Sequence, residues 1–178
     1  MSLAIYSGLI GLTALERLAE LRISNRHAAW SLERGGKEYG RGHYPFMVLL
    51  HASFLVACLA EVWLLQPPFS PLLGYSMLAL ALLCQAGRWW CIHSLGEQWN
   101  TRVIIVPGLA PSRRGPYRWV RHPNYIVVAL EGVALPLIHG AILTALIFTL
   151  ANAGLMFARI RCENAALAQL ADPGPERP

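Results

Sequence analysis

Residues 115–125 bring together side chains whose types suit the binding of a charged cofactor. Tyr117, His122, Asn124 and Tyr125 lie there, directly before an apolar stretch that predicts a helix. The free backbone amides at a helix N-terminus favour an anionic group such as a carboxylate. This segment can therefore hold an amino-acid-like cofactor while a tyrosine packs on an aromatic ring. The same composition is also typical of an interfacial belt, since Trp, Tyr, Arg and His favour the lipid headgroup region.

A second candidate cluster contains Arg159, Arg161 and Glu163. Arg159 and Glu163 are four residues apart and share one face of a helix, whereas Arg161 points elsewhere. These residues can bind a ligand, or they can form an interfacial salt bridge with snorkelling arginines. Glu131 lies inside an apolar stretch, where an ionisable group usually faces a cavity or a partner. It therefore either belongs to a site or pairs with an arginine.

Apolar helices must position these residues. Apolar residues make up 55% of the chain and charged residues only 14%, whereas a soluble domain averages about 25% charged. Five stretches approach the length of about 20 residues that crosses a bilayer, namely residues 3–21, 45–65, 72–91, 125–138 and 141–158. We predict an all-α integral membrane protein with about five transmembrane helices, the last two a tight helical hairpin joined by His139 and Gly140. At this length, residues 1–178 form a single domain.

The distribution of basic residues among the loops predicts the orientation of the chain in the membrane. They are frequent in residues 22–43 and 88–121, and the turns at residues 66–71 and 139–140 contain none. The C-terminal part adds Arg159, Arg161 and Arg177. The positive-inside rule then places both long loops and the C-terminus in the cytoplasm, and the N-terminus outside.

Two classes of site are disfavoured by composition. The net charge of +5 does not indicate nucleic-acid binding, because the basic residues form no stripe interleaved with aromatic residues. The four cysteines are scattered through apolar segments without metal-ligand spacing, so we interpret them as packing residues and predict no metal site.

Two motifs together resemble a known family. The run G-P-Y-x-x-x-R-H-P-x-Y begins at Gly115, and Arg159 and Glu163 follow it at the expected separation. This combination resembles the isoprenylcysteine carboxyl methyltransferase family. The upstream segments W-x-x-x-x-G, from Trp30, and G-H-Y-P-F-M, from Gly42, resemble the small bacterial branch associated with type III polyketide synthases. The resemblance implies a methyltransferase that uses S-adenosylmethionine.

The resemblance also implies roles for individual residues. The residues that it implies contact S-adenosylmethionine are Tyr117, His122, Pro123, Asn124, Tyr125 and Glu163. It implies a catalytic role beside the acceptor for Arg159. The implied acceptor is a lipophilic or prenylated molecule that enters from the bilayer, carrying either an isoprenylcysteine-type carboxylate or the hydroxyl of a long-chain alkylpyrone or phenol. The implied location is the bacterial inner membrane with membrane lipid as the neighbour, and the positive-inside rule places the site on the cytoplasmic side.

Other functions stay open on the sequence alone. Related multi-helix membrane folds host phospholipid N-methyltransferases and NADPH-dependent reductases, and a fold does not determine the reaction. A membrane scaffold without enzymatic activity is a third possibility, and it predicts no cofactor binding.

Overall fold

The computed structural model describes residues 1–110 and 112–171, with side chains described as far as residue 167. Within this part of the chain there are five α-helices, which confirms the predicted number: α1 (Leu3–Glu33), α2 (Tyr44–Leu65), α3 (Pro71–Leu95), α4 (Pro123–Leu137) and α5 (Ile142–Ala171). Proline lies in the first turn of α2, α3 and α4. A proline at that position costs nothing, because its missing amide would have no partner inside the helix. Arg177, one of the basic residues that predict the orientation, lies outside the described residues.

The helices extend beyond the predicted apolar stretches. The first stretch was predicted to end at residue 21, but α1 continues to Glu33. The fifth was predicted to end at residue 158, but α5 continues to Ala171. Much of the predicted loop at residues 22–43 is therefore helix. The reason is that backbone hydrogen bonds continue a helix through polar residues, whereas hydropathy marks only its apolar part.

A two-stranded sheet is an element that the sequence analysis did not predict. Strand β1 (Lys37–Tyr39) pairs antiparallel with β2 (Val103–Ile105), and Glu38 lies opposite Ile104. Gly40 follows β1 with a φ of +63°, and a Cβ at this position would lie 2.1 Å from the His43 ring and 2.9 Å from the Cys162 sulfur. The sheet thus joins the two polar segments, and residue 40 must be small because the His43 ring and α5 both lie close to it.

The α4–α5 hairpin is confirmed, and it packs closely within the bundle. Residues 138–141 join the two helices, and Gly140 has a φ of +76° that suits a tight turn. A Cβ on Gly132 of α4 would lie 2.3 Å from the Phe148 ring of α5. The carboxylate of Glu61 accepts hydrogen bonds from the backbone amides of Leu143 and Thr144, at 3.0 and 2.7 Å. α2 therefore supplies a hydrogen-bond acceptor for the free backbone amides in the first turn of α5.

Four ionised side chains form a ring in the interior of the bundle. Glu131 of α4 accepts hydrogen bonds from Arg17 of α1 and from Arg88 of α3. Glu20 of α1 lies 2.5 Å from Arg17 Nη1 and 3.6 Å from Arg88 Nε. Two arginines and two glutamates make the ring neutral overall. The sequence left open whether Glu131 belongs to a site or pairs with an arginine, and the structure shows the pairing. The ring of ion pairs joins the three helices α1, α3 and α4.

The outer surface is more apolar than parts of the interior. Leu64, Leu72 and Leu150 are 80%, 83% and 76% exposed, whereas Arg88 and Glu131 are 5% and 6% exposed. Among the described residues, two helices are long and apolar enough to cross a membrane, Tyr44–Leu65 and Ile142–Leu167. α4 is apolar but has only 15 residues, and α1 carries ionised residues near its middle.

Candidate active site

A cavity of about 640 Å³ lies where the polar segments meet the ends of the helices. Its wall comes from the C-terminal parts of α1 and α3, from β2, from residues 112–125 and from α5. Six of the seven residues predicted for the site line it: Tyr117, His122, Asn124, Tyr125, Arg159 and Glu163. The seventh, Pro123, is buried in the first turn of α4 between two of them. The fold thus brings both predicted clusters into one cavity.

The start of α4 orients three of these side chains. His122 is the residue before the helix, and its carbonyl accepts a hydrogen bond from the Tyr125 amide at 3.2 Å. This turn stacks the His122 and Tyr125 rings, with centroids 5.2 Å apart and an angle of 14° between their planes. Asn124 lies between them, and its buried Oδ1 has no hydrogen-bond partner among the described residues. The wall therefore offers stacked aromatic faces and an uncommitted acceptor.

Tyr125 connects the two predicted clusters. Arg159 Nε donates to the Tyr125 hydroxyl oxygen at 2.7 Å, and the Tyr125 hydroxyl donates to Glu163 Oε2 at 2.5 Å. His122 Nδ1 lies 3.8 Å from the other carboxylate oxygen of Glu163. Arg159 and Glu163 are one turn apart on the same face of α5, as predicted, because a helix places residues i and i+4 side by side.

Arg159 is held far more firmly than Arg161. The Arg159 side chain is 6% exposed, and its Nη1 donates to the Thr101 carbonyl at 2.5 Å. Its other contacts are the Met47 sulfur at 3.4 Å and the Asn100 carbonyl at 3.5 Å. Arg161 is exposed, and its guanidinium lies over the Phe157 ring. The structure therefore separates the two arginines, which composition alone treats as equivalent.

Tyr117 reaches the cavity from a short 3₁₀ turn at residues 115–118. Gly115 allows this turn to lie against α3, since its φ is +53° and a Cβ would lie 2.0 Å from Ser94 Oγ. Burial raises the pKa of the Tyr117 phenol well above its ordinary value. The hydroxyl is therefore neutral at physiological pH and can donate a hydrogen bond.

Sequence reasoning missed the part of the wall that comes from residues 98–109. Trp99, Asn100 and Arg102 line the cavity there, and the buried Asn100 Nδ2 has no partner in the described part of the chain. Arg113 and Arg121 also line it, so arginines outnumber the carboxylate of Glu163. Such an excess of fixed positive charge favours anionic ligands.

A family model described as isoprenylcysteine carboxyl methyltransferase (ICMT) family matches residues 77–169, more than half of the chain. The chain belongs to the isoprenylcysteine carboxyl methyltransferase family. The family consists of membrane-bound methyltransferases that act on lipophilic substrates. The match contains all seven predicted site residues, whereas α1 and α2 precede it. This assignment confirms the predicted family.

Two bacterial proteins are similar to almost the whole chain. The uncharacterised protein YpbQ of Bacillus subtilis is 38% identical over 162 residues, which cover 90% of this chain and 95% of YpbQ. An uncharacterised protein of Haemophilus influenzae is 28% identical over 157 residues, covering 86% and 90% of the two chains. A comparison with solved structures found no match to this chain.

Proposed function

We propose that this chain is an S-adenosylmethionine-dependent O-methyltransferase whose acceptor is a lipophilic molecule. The observation that carries the proposal is the hydrogen-bonded chain from Arg159 through Tyr125 to Glu163, inside one cavity of about 640 Å³. It places a cation suited to an acceptor oxygen beside a carboxylate suited to a cationic donor. The family assignment supports methyl transfer to a lipophilic substrate.

The chemistry of the wall fits S-adenosylmethionine. This donor has two cationic groups, a carboxylate, ribose hydroxyls and an adenine ring. Glu163 and the uncommitted Asn124 Oδ1 are acceptors for its cations or hydroxyls, and cavity arginines match its carboxylate. Tyr117 and the stacked ring pair provide aromatic faces. The residues that we propose to hold the donor are Tyr117, His122, Pro123, Asn124, Tyr125 and Glu163.

When bound, the donor supplies a methyl group that its sulfonium has already activated. The protein must then hold an acceptor oxygen in line and keep water out. Arg159 is suited to this task, because three fixed acceptors restrain its Nε and Nη1. Its Nη2 has only the Asn100 carbonyl at 3.5 Å within the described chain, so this nitrogen has an N–H left to donate to an acceptor oxygen. A carboxylate or an acidic enol is already anionic near neutral pH and needs no general base.

We also propose that the whole chain, residues 1–178, is one multi-pass membrane domain with its cavity on the cytoplasmic side. Support comes from the exposed leucines outside and the paired ionised residues inside, which is the reverse of a soluble bundle. The cavity lies beside the basic segments that the positive-inside rule assigns to the cytoplasm. Lipophilic acceptors can then enter sideways from the bilayer of the bacterial inner membrane. An alkylpyrone acceptor, as in the branch associated with type III polyketide synthases, and a prenylated carboxylate are both compatible with this arrangement.

The test is incubation of the purified protein with lipid extract and S-adenosylmethionine labelled in its methyl group, followed by mass spectrometry. We expect a labelled methyl ester or methyl ether on a lipophilic product, and loss of the label with Glu163→Ala. A labelled phospholipid amine would instead identify an N-methyltransferase. Binding of NADPH without binding of S-adenosylhomocysteine would identify a reductase, and binding of neither would favour a scaffold.

A further inference from the structure

The segment that holds Arg159 is a short turn at residues 99–101. Its Thr101 carbonyl accepts from Arg159 Nη1 at 2.5 Å, and its Asn100 carbonyl lies 3.5 Å from Nη2. Two of the three nitrogens of the guanidinium are therefore oriented by the backbone of this turn. A shift of the turn would move Arg159 with it.

Ser24 of α1 is the central contact of the 99–101 turn. Its hydroxyl donates to Asn100 Oδ1 at 2.9 Å and accepts from the Thr101 amide at 3.0 Å. Its oxygen also lies 2.7 Å from Thr101 Oγ1, and the Ser24 side chain is almost fully buried at 1% exposure. His27, on the same face of α1, places Nδ1 2.8 Å from the Trp99 carbonyl. Helix α1 thus contacts each of the three residues of the 99–101 turn through a side-chain hydrogen bond.

We propose that Ser24 is a positioning residue for Arg159, acting through the 99–101 turn. The inference rests on the proposed function, because it assumes that Arg159 orients the acceptor. It gives α1, which precedes the residues matched by the family model, a role in positioning Arg159. Without the Ser24 hydroxyl, the Thr101 amide loses its partner and Asn100 Oδ1 keeps the Arg102 amide, so the turn is held less firmly. A displacement of about 1 Å in a positioning group can lower a rate about 100-fold.

The first experiment compares Ser24→Ala with Thr13→Val in the full-length protein in detergent. Thr13 is a matched control, since it is also buried on α1 but its hydroxyl donates to the Leu9 carbonyl of its own helix. Turnover is measured with S-farnesylcysteine and with a long-chain hydroxypyrone, and donor-site affinity with S-adenosylhomocysteine. We expect Ser24→Ala to lower kcat by about 10- to 100-fold and to leave that affinity within about twofold, whereas Thr13→Val retains its turnover. A Ser24→Ala kcat equal to that of Thr13→Val would overturn the proposal.

The second experiment is a double-mutant cycle between Ser24→Ala and Arg159→Lys. If Ser24 acts through Arg159, its loss should cost little further turnover once Arg159 has been replaced, so the two effects are strongly non-additive. A general loss of packing predicts that the two effects multiply. If the fold-loss of turnover in the double variant equals the product of the two single losses, a positioning role is contradicted, even where Ser24→Ala alone lowers turnover.

A third measurement does not depend on catalysis. Hydrogen exchange at the Thr101 amide should accelerate in Arg159→Lys as well as in Ser24→Ala, because both residues hold the same turn. Exchange that is unchanged in Arg159→Lys would overturn the inference. If the wild type neither binds S-adenosylhomocysteine nor methylates either acceptor, but exchange accelerates in both variants, the proposed function fails while the link between Ser24 and Arg159 holds.

Discussion

The ionic ring around Glu131 leads to a quantitative prediction for Glu131→Gln. The substitution keeps the size of the side chain but removes the charge that faces Arg17 and Arg88, and Glu20 is then the one carboxylate left in the ring. The two arginines would leave an excess positive charge in the bundle interior, where Glu131 is 6% exposed.

The magnitude follows from the two hydrogen bonds that the Glu131 carboxylate accepts. Bonds to charged groups contribute about 1.5–3 kcal/mol each, and removing one partner of a buried ion pair costs about 3–5 kcal/mol. Glutamine retains one neutral acceptor, so we expect a loss near the lower limit, about 3 kcal/mol. For a chain of this length, that loss corresponds to a fall in Tm of about 6–12 °C.

The assay is thermal unfolding of purified protein in detergent, followed by circular dichroism. Glu33→Gln is the matched control, because Glu33 is exposed at the end of α1 and its substitution changes the net charge equally. We expect Glu33→Gln to shift Tm by no more than about 2 °C, since surface substitutions usually stay within about 0.5 kcal/mol. Equal Tm shifts for the two variants would refute the view that the ring stabilises the bundle.

Three further predictions concern the site and the topology. His122→Ala and Glu163→Ala should each weaken S-adenosylhomocysteine binding without unfolding the protein, because both side chains line the cavity. Arg159→Lys should lower turnover about 100-fold at nearly constant cofactor affinity, since an ammonium cannot contact Tyr125, Thr101 and an acceptor oxygen together. Arg161→Lys should change turnover little, because Arg161 is exposed. Reporter fusions at Gln66 and at the C-terminus should report opposite sides of the membrane.

Each of these predictions has an outcome that contradicts it. Unchanged affinity in both alanine variants would return His122 and Glu163 to an interfacial role. Equal losses of turnover in the two lysine variants would count against a catalytic Arg159, and a loss of cofactor affinity in Arg159→Lys would move that residue into the donor pocket. Reporters on the same side would disprove the five-helix orientation.

Hydropathy predicted the number of helices correctly because each helix contains a conspicuous apolar stretch, although two of the described helices are long and apolar enough to cross a membrane. It could not predict that α1 continues from residue 22 to Glu33, where the helix is polar and its contacts are with the 99–101 turn. The sheet did have a local signal, since residues 103–106 are all β-branched and such residues favour strands. Its partner β1 has no comparable run, so the pairing depends on tertiary structure.

The residues of the candidate site were likewise predictable from the sequence only in part. The motif at residues 115–125 and the i, i+4 pair on α5 were predicted from spacing along the chain, and the fold brings them together. Ser24 and Asn100 lie far from both motifs in sequence, and neither residue type by itself indicates a site. Only the packing of α1 against the 99–101 turn shows that Ser24 contacts Asn100, whose carbonyl in turn contacts Arg159.

The position of Tyr125 between Arg159 and Glu163 has a consequence for the order of binding. Its hydroxyl accepts from one residue and donates to the other, so the proposed acceptor side and donor side share a single hydrogen-bonded group. Any ligand that changes the hydrogen bonding of Glu163 must alter the Tyr125 hydroxyl, and through it the orientation of Arg159. The affinities for the two substrates would then be thermodynamically coupled, and the factor by which each changes the other must be equal in both directions. An enzyme of this kind would bind its lipid acceptor with an affinity that depends on whether a donor already occupies the cavity.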